Sequence, residues 1–189
     1  VSDGIAIKVK ARWTNISGFI LDGDRVSTPN TRGFFQNIDT AGQFARVSQI
    51  RTTYMGGRSF QLVDTLDTKF DQFYTLGQNA AFLSVTYSNV GTWDHATAVE
   101  LSNFNIQQAT GEDAISAVRC TQSVMFNGWF DHCENPFNIS EGGWILNMIS
   151  VESPVNAPKA QYAKVTRIEG NYQTDIDYTD GASSGTLPA

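Results

Sequence analysis

One four-residue phrase occurs seven times in this chain: an apolar residue, a polar one, a third position rich in bend-tolerant residues, and, in six copies, a second apolar residue. It reads Ile16-Ser17-Gly18-Phe19, Val47-Ser48-Gln49-Ile50, Phe70-Asp71-Gln72-Phe73, Leu101-Ser102-Asn103-Phe104, Phe126-Asn127-Gly128-Trp129, Leu146-Asn147-Met148-Ile149 and Ile168-Glu169-Gly170-Asn171. Successive copies begin 31, 23, 31, 25, 20 and 22 residues apart. A spacing of this size in a strand-like context is the mark of a solenoid, in which each repeat buries its apolar face only by stacking on its neighbours.

The context is strand-like because alternation is common and helical periodicity is nearly absent. Ile5-Ala6-Ile7-Lys8-Val9-Lys10 and Lys164-Val165-Thr166-Arg167-Ile168 alternate apolar and polar, and no window keeps an i, i+3, i+4, i+7 stripe. A second apolar-alternating run follows most bends: Phe60–Val63, Phe82–Val85, Ile115–Val118 and Phe137–Ser140. Short strands joined by bends and stacked coaxially pair each strand with its counterpart one rung away, about 4.8 Å distant. The expectation is an all-β, single-stranded, right-handed parallel β-helix of about seven rungs over residues 1–176. Residues 177–189, with Gly181-Ala182-Ser183-Ser184-Gly185, read as a flexible exit linker. The chain starts at Val1 rather than Met and reads as a fragment of something longer.

The charge balance narrows the partners. Net charge is −6 with 17% charged residues, which argues against a nucleic-acid footprint of Lys and Arg. No apolar run approaches the roughly 18 residues of a membrane span. Cys120 and Cys133 read as buried free thiols, and no cofactor or metal site is expected: His132 beside Cys133 has no second pair at ligand spacing. The sequons at Asn15 and Asn138 lie inside repeat strands and are discounted.

Function belongs on the outward columns, because the inward ones are filled by core. Asp71 and Glu100 project from one sheet face in adjacent rungs, two residues and one rung apart, or about 8 Å. That separation falls in the range of an inverting glycosidase, in which one carboxyl protonates the leaving oxygen and the other activates water. Lys69 and Arg46 flank them and offer the plainer reading of a solvated ion-pair face. Asp131, His132 and Glu152 form an alternative group, with His132 and Glu152 in one column as a base for β-elimination. The column after the phrase, Arg51, Tyr74, Asn105 and Phe130, supplies partly aromatic, partly polar surface for sugar rings, with Trp93 as a rim. On the second strand, Val63, Val85 and Val118 form an apolar outward column suited to burial against another subunit.

At these columns the chain resembles right-handed parallel β-helix proteins, and among them the tailspikes of bacteriophages: irregular rung lengths, low charge, many aromatics and an acidic balance. The resemblance covers about residues 5–176. It implies a homotrimer at a virion tail or outside the cell that binds, and in many cases cleaves, bacterial surface polysaccharide by hydrolysis or β-elimination. A purely structural shaft segment is the alternative, and a pectate-lyase-like fragment a third reading, although the Asp cluster and catalytic Arg of those enzymes are not assembled here.

Overall fold

The computed structural model describes residues 5–24, 32–37, 43–90, 95–140, 143–156, 158–160, 163–165, 168–171, 176–179 and 184–187. The chain winds as a parallel β-helix, each rung contributing to both of two sheets. The rungs pair Ile5–Val9 with Asn15–Asp22, Arg32–Asn37 with Arg46–Thr53, Phe60–Val63 with Leu66–Leu76, and Leu83–Thr86 with Ala96–Gln107. The fifth pairs Ile115–Val118 with Ser123–Asp131, the sixth Phe137–Ser140 with Trp144–Glu152, and the seventh Lys159–Ala160 with Ala163–Val165 and Ile168–Asn171. Seven rungs are the number the repeated phrase predicts. Consecutive rungs pair in parallel throughout. The segment read as an exit linker carries two strands: Ile176–Thr179 joins the first sheet and Ser184–Leu187 runs antiparallel to it.

The long strands of the second sheet bend in the middle, and the backbone shows how. Residues in the left-handed region recur every five positions along each rung: Phe44, Gln49, Tyr54; Asp67, Gln72, Gly77; Ala98, Asn103, Gln108; Gln122, Asn127, His132. Trp13 and Gly18 begin the series in the first rung, and Met148 and Ser153 continue it in the sixth. This conformation costs an L-residue roughly 1–2 kcal/mol. Here each such residue sits beside its equivalent one rung away, so corner hydrogen bonds such as Tyr54 N–H to the Leu76 carbonyl (2.8 Å) and Gln108 N–H to that of Asp131 (2.9 Å) close the ladder.

Inward columns form the core. Val47, Phe70, Leu101, Met125 and Leu146 are register partners in sequence, and all are buried. The next inward column runs Ile50, Phe73, Phe104, Gly128, Ile149. Phe104 stacks on Phe73 (4.9 Å, 3°) and meets Phe130 edge-on (5.4 Å, 76°); Phe73 stacks on Phe82 (4.6 Å, 11°). Burial of each such ring is worth about 1.5–3 kcal/mol. A buried polar cluster sits among these columns as well: Thr52 donates to its register partner Thr75 (2.7 Å), Ser59 to Gln78 Oε1 (2.5 Å), and Gln78 Nε2 to Thr52 (3.0 Å).

Three rungs differ from the sequence alignment. The seventh differs by three residues, with Val165 and not Ile168 opposite Leu146, and Ile168 opposite Ile149. Two others differ by one residue, a slip that exchanges the faces of a strand. In the fifth rung Met125, not Phe126, partners Leu101, and the bend residue is Asn127 (φ 51°), not Gly128. In the first sheet Leu83, not Phe82, partners Phe60, so Val85 is an inward core residue at 0% exposure. The apolar outward column expected to face another subunit therefore reads Val63, Thr86, Val118, Ser140; Val85 has no part in it.

Candidate functional site

The outer surface of the second sheet divides at its bend. On the N-terminal side, the residues flanking the inward column point outward: Arg46, Lys69 and Glu100 in one row, Ser48, Asp71, Ser102 and Phe126 in the next. They line a cleft of about 370 Å³ together with Asn103 and Val47. Such a volume suits a small ligand or a few units of a chain. Lys69 Nζ lies 2.6 Å from Glu100 Oε2. Arg46 is pinned by its own neighbourhood, donating through Nη1 to the carbonyls of Asp67 (2.7 Å) and Ala45 (3.1 Å). Asp71 Oδ1 accepts from Ser102 Oγ and from Asn103 Nδ2, both at 2.7 Å.

The structure thus brings Asp71 and Glu100 to one cleft in the predicted register, with the Lys69 ion pair of the plainer reading also present. Two carboxylates and two cations in one concavity offer donors and acceptors to a polyhydroxylated ligand and the elements of acid–base chemistry.

On the C-terminal side of the bend, Arg51, Tyr74 and Asn105 occupy one outward column. The Arg51 guanidinium lies 5.2 Å from the Tyr74 ring centroid, and Tyr74 Oη donates to Gln107 Oε1 (3.2 Å). Asn105 Oδ1 is buried without a hydrogen-bond partner. Phe130 does not belong to this column. It is fully buried between Phe104 and Phe137, and the partner of Asn105 is Trp129, 52% exposed. Sequence reasoning missed Trp129 because it took Gly128 for the bend. The signal was present in Asn127, itself a residue that tolerates the left-handed region.

The alternative group is arranged differently from expectation. Glu152 stands opposite Asp131, not His132. His132 contacts Asp131 through Nδ1 from a left-handed corner, and only its backbone N–H reaches the Glu152 carbonyl (2.9 Å). Trp93 lies outside the described residues. Cys120 and Cys133 are free and buried, with burial pushing their thiols up to about 12 and about 11.

Fold and outer face define a tailspike-like parallel β-helix. Two proteins are similar to this chain. One is the amylovoran biosynthesis protein AmsF of Erwinia amylovora, 40% identical over 179 residues, which are 92% of this chain and 24% of that protein. The other is a solved structure, WceF of Pantoea stewartii, a glycan biofilm modifying enzyme with a bacteriophage tailspike-like parallel β-helix fold. It superposes with a TM-score of 0.71 at 27% identity over 98% of this chain and 30% of that one. The chain therefore spans about a quarter to a third of the length of these relatives. No family model matches it.

Proposed function

We propose that this chain is the polysaccharide-handling stretch of a glycan-modifying β-helix protein, with the outer face of the second sheet as its binding surface. The observation that carries the reading is the meeting of Asp71 and Glu100 in one cleft, across a single bend from the outward column Arg51, Tyr74, Asn105, Trp129. The two relatives favour a bacterial exopolysaccharide as substrate class, one being an amylovoran biosynthesis protein and the other a glycan biofilm modifying enzyme. A phage spike engaging a capsule would use such a face in the same way.

The chemistry is hydrolysis with two carboxyl groups. Asp71 takes a proton from water as the water oxygen bonds to the anomeric carbon. The glycosidic C–O bond breaks, and its oxygen receives the proton of Glu100 in its acid form. Lys69, exposed at the rim, is displaced from Glu100 as the sugar enters.

The test is incubation with a panel of bacterial exopolysaccharides and capsules, read for new reducing ends and for ultraviolet absorbance of unsaturated products. Turnover with saturated ends is the expected result, and Asp71→Asn or Glu100→Gln should lower it by at least about 10²-fold while binding survives. Unsaturated ends would replace hydrolysis by β-elimination. No binding to any glycan would remove the reading.

A further inference from the structure

The bends of rungs three to five are joined by a hydrogen-bond chain that ends inside the cleft. Asn127 Nδ2 donates to Asn103 Oδ1 at 2.6 Å, and Asn103 Nδ2 donates to Asp71 Oδ1 at 2.7 Å. An amide nitrogen donates and does not accept, so the chain has one direction, from the fifth rung to the third. It terminates on a carboxylate oxygen that also receives Ser102 Oγ at 2.7 Å. Among the described residues, Asp71 Oδ2 accepts no hydrogen bond. Both asparagines stand in the left-handed region, at φ 52° and 51°. Other bend positions, Gln49 and Met148, share the backbone conformation without sharing the chain.

We propose that Asn103 and Asn127 are positioning residues for Asp71. Their amides, polarised in series, fix Oδ1 and thereby set which oxygen is offered to the cleft. Oδ2 is then the oxygen that takes the proton from water, held in orientation before substrate arrives. Asn127 acts at one remove, since it touches Asp71 only through Asn103. This assignment rests on the hydrolytic reading of the cleft. It adds that the base is oriented by a device running along the helix axis rather than by residues of its own rung.

The experiment replaces each bend residue by glycine, which keeps the left-handed backbone without strain and removes only the side chain. Asn103→Gly should lower kcat about 10-fold and Asn127→Gly about 3-fold, with KM and glycan affinity unchanged, as expected when a reacting group is misplaced rather than removed. Gln49→Gly and Met148→Gly, at equivalent bends off the chain, should leave kcat as it was. Equal losses at all four positions would mean that the ladder only supports the fold and would overturn the proposal. Unchanged kcat in Asn103→Gly would overturn it while leaving the hydrolytic reading intact. A parent chain that binds glycan but turns none over would overturn both, and that outcome is visible before any variant is made.

Discussion

Gly128 lies directly against the ring of Phe104. A Cβ on Gly128 would stand 2.0 Å from Phe104 Cζ. The glycine is therefore an inward residue that vacates space for an aromatic ring on the adjacent rung, and not a bend.

The first prediction follows from that contact. The Phe104 ring cannot retreat, because it is stacked on Phe73 and set against Phe130. Gly128→Ala should cost about 3 kcal/mol, the upper end for overpacking, read as a lowered urea midpoint. A neutral effect would show that the ring column shifts freely.

A second prediction concerns the thiols. With burial pushing Cys120 to about 12 and Cys133 to about 11, almost no thiolate forms near neutrality. A thiol reagent at about pH 8, close to the ordinary Cys value, should label neither cysteine in the native chain and both after denaturation. Rapid native labelling would mean that these rungs open locally.

Asp113 gives a pH dependence of known sign. Burial raises its carboxyl above the ordinary 3.8, assisted by the charge of Glu112 and opposed by a hydrogen bond with Asn138 and by Lys159. A raised folded-state value contributes stability that is fully present below about 3.8 and is lost as pH rises through the folded value. Asp113→Asn should therefore raise the urea midpoint at neutral pH relative to the parent and leave it nearly unchanged at pH ~3. The opposite order would assign the group a net favourable pairing.

For the binding face, Trp129→Ala should weaken glycan affinity roughly 2- to 12-fold, the equivalent of about 0.5–1.5 kcal/mol for one aromatic face. Its exposure predicts little loss of stability. The buried Phe130→Ala should do the reverse, costing about 3–5 kcal/mol of stability. Equal affinity in the parent and the Trp129 variant would move the sugar away from this column.

The solenoid and its rung number were legible because inward columns must agree in polarity from rung to rung, and the aligned phrase repeats that agreement. The one-residue slips fell where two adjacent residues are both apolar, and the three-residue shift of the seventh rung fell where Val165 and Ile168 repeat the apolar spacing of the phrase. Phe82 and Leu83 are both fully buried, and Met125 and Phe126 are both apolar, so polarity alone does not say which one faces in. The left-handed corners at Phe44, Ala98 and Gln122 were not legible either. Their conformation is imposed by stacking on neighbouring rungs, and nothing in those side chains favours it. Within the cleft, the Asp71 and Glu100 offset could be read from register, whereas the amide chain leading to Asp71 depends on side-chain reach across rungs.

The five-residue spacing of left-handed positions has a consequence for how such a chain can diversify. Between the first and last corners of a rung the count of residues is the same in rungs two to five, although the distance from one middle corner to the next, Gln49 to Gln72 to Asn103 to Asn127, varies from 23 to 31 residues. All of that variation is therefore confined to the excursions that lead to and from the first sheet. The second sheet acts as a fixed-pitch rail, and insertions elsewhere change the walls beside it without altering the distance between one outward side chain and the next.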